Sequence, residues 1–274
     1  MNDINIFIQY GIGDSLIYSQ INDLYKNNEN FNYKYFIDIE LLSEKHNNIQ
    51  YLEFIINFFK LMNVNVSVPT DIEIIEKKVK YINFKDFINT FPIKRITIDK
   101  YFNKQIFNLP SEYLVLNVNT RIVLVNDHYN KYKFDNICNF LNSNKFKLPI
   151  ILLGQREIIK VTDNIHNYSF YSKLNKNNFI DKTNYKKIAI MPDIDDITTD
   201  ISIIKNSKHS FQIGLGGTLV MNCFFSNKLS TYLIREDNAC PEYFYSCFFD
   251  LCNNIKICNN EIEFINDLIK YIIY

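Results

Sequence analysis

Two parallel-sheet α/β units facing a cleft are the fold that this sequence predicts, on three observations. Apolar runs of strand length alternate with amphipathic runs of helix length along the 274 residues. The alternation restarts after Leu109-Pro110-Ser111. Glycine, scarce elsewhere, gathers where a strand hands over to a helix. Strands alternating with helices build parallel sheets covered on both faces. Ligands of such folds bind beyond the carboxyl ends of the strands.

The first unit spans residues 1–108. Ile4 to Gln9 reads as a buried strand. Asp14 to Tyr25 reads as a helix, with Leu16, Ile17, Ile21 and Leu24 on one face. Tyr33 to Ile39 is a second strand, Ile49 to Met62 a second helix, and Val64 to Val68 a short strand stopped by Pro69. Beyond it, Val79 to Phe84 reads as a strand among loops and short helices. The second unit spans residues 109–274. Its expected strands are Tyr113 to Val118, Leu148 to Leu153, Ile188 to Met191, His209 to Ile213 and Ser230 to Ile234. Its expected helices are Phe134 to Asn142, Ile197 to Lys205, Gly216 to Phe225 and a closing helix from Glu261 to Ile273.

Composition narrows the function. Hydrophobic residues make up 47% of the chain, with 23 Phe and 19 Tyr, which is ample for packed cores. Thirty Lys and Arg balance thirty Asp and Glu. A neutral chain lacks the electropositive surface that bulk nucleic-acid binding needs, yet it can hold a local basic pocket. The six Cys form no CxxC pair and none lies before Cys138, so they read as reduced thiols of a cytoplasmic protein. The start of the chain reads as a first strand rather than a signal peptide. No run approaches the roughly 20 apolar residues that span a bilayer, which leaves peripheral membrane contact open.

Four turns carry candidate chemistry. Gly11-Ile12-Gly13-Asp14-Ser15-Leu16 falls at the first strand-to-helix turn. It matches G-x-G-x-x-L, an incomplete dinucleotide fingerprint. Asp14 there reads either as a cleft-facing carboxylate or as a plain helix cap. Asn117-Val118-Asn119-Thr120-Arg121 ends the first strand of the second unit. Its guanidinium can hold phosphate oxygens bidentately, with Lys131 or Lys133 adding charge; the bland alternative is a surface loop. Gln212-Ile213-Gly214-Leu215-Gly216-Gly217-Thr218 holds half of the six glycines at another strand-to-helix turn. Exposed amides and a helix dipole make such a turn an anion site. Leu153-Gly154 ends a strand, and Glu157 follows as a ribose-binding carboxylate or a solvated helix start.

Asp193, Asp195 and Asp196 read as a solvated loop with a helix cap rather than a cation site. His46, His128, His166 and His209 show no ligand spacing. No metal and no cofactor is expected.

Together these turns resemble the heptosyltransferase-like glycosyltransferases of family 9, which have the GT-B fold. Gly13-Asp14-Ser15-Leu16 is similar to that family's opening turn. Asn119-Thr120-Arg121 with Lys131-Tyr132, Leu153-Gly154 with Glu157, and Gly214 to Thr218 follow in the family's order. The resemblance covers the first 25 residues and most of the second unit. It implies two Rossmann-like domains, with the closing helix packing back toward the first. It implies transfer of a sugar from a nucleotide-diphosphate sugar to a glycan or other hydroxyl acceptor, with inversion and without an essential metal. Asp14 would be the catalytic base. Gly13, Asn119, Thr120, Arg121, Lys131, Glu157, Gly214, Gly216, Gly217 and Thr218 would hold the donor. The late motif departs from the family. Gly214-Leu215-Gly216 replaces Asp-Thr-Gly, and Leu219 stands where a His is usual. That departure suits an alternative, a degenerate GT-B protein that binds a nucleotide or glycan without chemistry. A methyltransferase or dehydrogenase built on Gly11 to Leu16 would leave the later glycine turns unexplained.

Overall fold

The computed structural model describes residues 2–8, 31–37, 49–80, 101–102, 104–106, 108–118, 134–158, 169–182, 184–186, 194–213, 230–233 and 255–273. The helices expected at 14–25 and 216–225 and the strand at 188–191 lie outside them.

The first sheet holds β1 (Asn2–Ile8), β2 (Phe31–Ile37) and β3 (Val66–Ser67), all parallel and in that order. Helix α1 (Ile49–Leu61) buries Phe54, Ile55, Phe58 and Phe59, a stripe at helical spacing. Asn63 ends this helix in the left-handed region at φ 59°. There its N–H reaches the Lys60 carbonyl at 3.0 Å, and the Val64 N–H reaches that of Phe59 at 3.0 Å. These are the two bonds of a Schellman stop, with Asn standing in for glycine.

A second helix, α2 (Asp71–Lys80), corrects the expected strand: Val79 and Lys80 are helical, and residues 81–84 lie outside the described residues. A capping box starts it. The Glu73 carboxylate accepts from the Thr70 N–H at 2.6 Å and from its hydroxyl at 2.9 Å. Two bonds there outweigh a short β-prone run.

The second sheet holds six parallel strands. These are β4 (Leu114–Val118), β5 (Ile150–Leu153), β7 (Phe179–Asp181), β9 (His209–Ile213), β10 (Ser230–Leu233) and β11 (Ile255–Cys258). Their spatial order is β11-β10-β9-β4-β5-β7. The chain therefore builds outward from β4 to β5 and β7, then returns to β4's other side with β9. That is the doubly wound order, and it reverses between β4 and β9. β5 and β9 are buried at every residue, as strands covered on both faces must be.

One face of the sheet packs Leu114, Leu116, Ile150, Leu152, Phe211 and Ile213 against three helices. These are α3 (Asp135–Ser143), the short α4 (Ser169–Lys173) and, past it in sequence, the closing helix. The other face meets α5 (Ile194–Asn206), whose Ile203 carbonyl accepts the Tyr113 hydroxyl at 2.9 Å. Helix α5 also touches α1 of the first unit.

The closing helix, α6 (Glu261–Ile269), packs on the second sheet. Its buried Phe264 and Leu268 join the second sheet's core, and Ile272 beyond it bridges to Phe146. A small separate ladder pairs β6 (Gln155–Ile158) with β8 (Asn184–Lys186).

Candidate functional site

The reversal between β4 and β9 marks where a ligand of a doubly wound sheet lies. Two of the four candidate turns follow the strands that flank it, and a third follows β5, on the other side of β4. Val118 and Ile213, the last residues of β4 and β9, are register partners. Asn119-Thr120-Arg121 follows the first directly and Gly214 to Thr218 the second. Leu153 ends β5 beside Asn117. Asn119, Thr120, Arg121, Lys131, Gly214, Gly216, Gly217 and Thr218 themselves lie outside the described residues, as do Gly13, Asp14 and His128. Gly13 and Asp14 follow β1 in sequence.

Gly154 turns the chain at the end of β5 with φ 101°, a conformation open to glycine at little cost. The turn leads into β6, so Glu157 does not start a helix. It lies in a strand opposite Tyr185 of β8. Asp195 and Asp196 belong to the first turn of α5.

The carboxyl end of β4 and β9 carries a feature that sequence inspection does not rank. Asn117 is 1% exposed and Gln212 0% exposed, and the two are register partners. Alternation along β4 places Asn117 on the face of Tyr113 and Val115, toward α5. Ser210, two residues before Gln212, is buried on that face too. Asn117 Oδ1 takes no hydrogen bond among the described residues. An unmet buried acceptor costs about 1–3 kcal/mol. Its neighbours on β5 are satisfied: the Leu153 carbonyl accepts the Tyr171 hydroxyl, and the Leu152 carbonyl accepts the Lys182 N–H at 3.0 Å.

The amino end of the same sheet holds a closed polar chain. Thr231 Oγ1 donates to Asp267 Oδ2 at 2.7 Å. Its one proton spent, Thr231 accepts from His209 Nε2 at 2.8 Å. His209 Nδ1 then accepts the Tyr271 hydroxyl at 2.8 Å. Asp267 Oδ1 receives Lys256 at 2.8 Å and Lys270 at 2.7 Å. Burial pushes the imidazole down to about 4, against the opposing pull of the Asp267 charge. Burial alone would raise the Asp267 carboxyl, but bonds from Lys256, Lys270 and Thr231 hold it at about 2. The Thr231 proton faces Asp267, so His209 cannot activate that hydroxyl as a nucleophile. The chain fastens α6 to β9 and β10.

Burial raises the Cys138 thiol to about 12 and the Cys258 thiol to about 11, so both are inert apolar groups. An open cavity of about 240 Å³ lies at Leu109 to Ser111, beside Tyr113 and Asn206, at the amino side of the sheet. Among the described residues no three His, Cys, Asp or Glu side chains are grouped to hold a metal ion. No described helix is long and apolar enough to cross a membrane.

No protein-family model matches the chain, and no curated protein matches it. Solved structures do. The chain is similar to E. coli heptosyltransferase WaaC with ADP-2-deoxy-2-fluoro heptose, at TM-score 0.45 and 8% identity, over 98% of this chain and 99% of that one. It is similar to the same enzyme with ADP, at TM-score 0.46 and 7% identity, over 98% and 97%. It is also similar to the iron-containing dodecameric glycosyltransferase TibC from enterotoxigenic E. coli H10407, at TM-score 0.42 and 9% identity, over 85% of this chain and 57% of that one.

Proposed function

We propose that this chain is a cytoplasmic glycosyltransferase. It moves a sugar from a nucleotide-diphosphate sugar to a glycan or other hydroxyl acceptor. One observation carries the reading: the strands that lead into Asn119-Thr120-Arg121 and into Gly214 to Thr218 are neighbours at the reversal of a doubly wound sheet. The segments that follow these two strands, far apart in sequence, thereby begin side by side; in this reading the first supplies a guanidinium for phosphate and the second a glycine-rich anion turn.

In this reading residues 109–274 hold the donor and residues 1–108 the acceptor. The acceptor hydroxyl attacks the anomeric carbon as the bond to the diphosphate breaks. Asp14 takes the hydroxyl proton. Arg121, Lys131 and the amides of Gly216 to Thr218 neutralise the charge growing on the leaving diphosphate. Gly13, Asn119 and Thr120 shape the turns that hold the donor, and Glu157 accepts a ribose hydroxyl. Displacement in one step inverts the anomeric centre, and in this reading the charge of Arg121 and Lys131 does what a metal ion would otherwise do.

A thermal-shift screen of ADP, UDP, GDP, their sugars, NAD and S-adenosylmethionine tests this. A nucleotide at a hundred times its Kd adds about 2.7 kcal/mol, a rise of about 5–10 °C for a chain of this size. The rise is expected with one nucleoside diphosphate or its sugar and is lost in Arg121→Ala. A response to NAD or S-adenosylmethionine alone would refute the reading. Donor binding without transfer to any acceptor would point to the degenerate binding protein that Gly214-Leu215-Gly216 suggests. Asp14→Asn retaining full transfer would remove Asp14 as the base.

A further inference from the structure

We infer that Asn117 is a ligand-binding residue, and that its Oδ1 accepts a hydrogen bond from a neutral hydroxyl or N–H of the nucleotide sugar. The inference rests on the transferase reading above. It starts from four facts. Asn117 is 1% exposed, and its Oδ1 has no partner among the described residues. It stands on β4, one residue before that strand ends. It faces Gln212 across the β4–β9 reversal. The loops expected to hold the diphosphate begin two residues after each of them.

Chemistry then selects the part of the ligand. An amide oxygen needs a hydrogen-bond donor. The diphosphate of a nucleotide sugar, esterified at both ends, offers only acceptors at neutral pH, so it cannot satisfy Asn117 Oδ1. The ribose, the base and the transferred sugar carry hydroxyl or N–H groups that can. Division of labour follows. Arg121 and the glycine turn take the charge of the ligand, and Asn117 reads its neutral part. A site built to accept such a bond rejects ligands that lack it, because the buried acceptor is then left unmet.

Two measurements test it. The first needs no ligand. In the free protein, Asn117→Val removes an unmet acceptor and fills similar space, so its melting temperature should equal or exceed the wild-type value. A fall of several degrees would mean that Asn117 is already satisfied within the chain, and would overturn the inference. The second is calorimetric titration of wild type, Asn117→Val and Asn117→Ala with inorganic pyrophosphate, with the best nucleoside diphosphate and with its sugar. Loss of this bond weakens binding about 10–100-fold, with pyrophosphate affinity unchanged. Weakened binding of the diphosphate assigns the donor group to the nucleoside; weakened binding of the nucleotide sugar alone assigns it to the sugar. Equal affinities across the variants would overturn the inference and leave the transferase reading standing. Pyrophosphate weakened in step with the nucleotide would also overturn it, since Asn117 would then be meeting phosphate. A wild-type protein that binds no nucleotide or nucleotide sugar would overturn both.

Discussion

The two ends of the second sheet treat buried polarity in opposite ways. At the amino end every polar group of the Tyr271–His209–Thr231–Asp267 chain has a partner, and two lysines finish Asp267. At the carboxyl end Asn117 keeps an acceptor open beside Gln212. His209, Thr231 and Asp267 at one end and Asn117 and Gln212 at the other are buried, so neither set is a surface accident. A closed chain is committed to one structure, because each member loses its partner if any member moves. An open acceptor costs the fold its desolvation and is free for something else. The contrast separates polarity that fixes the fold from polarity held for a ligand.

The strongest way to break the contrast is Asp267→Ala. It strips Thr231, Lys256 and Lys270 of one shared acceptor, and it should cost about 4 kcal/mol, read by urea unfolding. A cost below about 1 kcal/mol would show that the chain is not a fastening. Next comes pH. His209 is neutral when folded, with its pKa pushed from 6.5 to about 4, so below pH 6.5 the unfolded chain binds more protons. Stability should therefore fall as pH drops from 6.5 to about 4, by about 3 kcal/mol once the full shift is titrated. Asp267 adds a separate loss from pH 3.8 down to about 2, where its paired carboxylate is protonated. His209→Gln should flatten the upper window and leave the lower one in place. Thr231→Val cuts the middle link and should cost about 2 kcal/mol, since His209 Nε2 and Asp267 Oδ2 each lose a partner. The smallest effect belongs to the other end of the sheet. Asn117→Val should change the stability of the free protein by less than about 0.5 kcal/mol or raise it, in line with removal of an unmet polar group. Equal costs for Thr231→Val and Asn117→Val would erase the distinction.

Much of the fold is legible because its central strands are long unbroken apolar runs. Leu114 to Leu116, Ile150 to Leu153 and the helical stripe of Phe54 to Phe59 show their period directly. What escapes inspection is short or non-local. β11 is four residues, Ile255-Lys256-Ile257-Cys258, framed by Asn and easily read as loop. Helix α2 has a readable sign, Thr70 three residues before Glu73, hidden behind the β-prone residues that follow. The candidate turns are visible in sequence, yet the pairing of the strands that lead into them is not. Strand order leaves no trace in local periodicity, so nothing near Arg121 or Gly214 shows that β4 and β9 are partners. The amino-end chain is equally invisible, since 22 residues separate His209 from Thr231 and 36 separate Thr231 from Asp267.

The strand order also sets a timetable. β4 is central in space but first of its sheet to be synthesised, and Glu112 precedes its partner Lys208 by 96 residues. A chain emerging from the ribosome can pair β4 with β5 early, while the other edge of β4 has nothing beside it until β9 leaves the exit tunnel. At the usual pace of synthesis that interval lasts about 5–20 s. During it the apolar, unpaired edge of β4 is open to association with any other strand. The crevice where the ligand is proposed to lie is thus the last part of the sheet's centre to close.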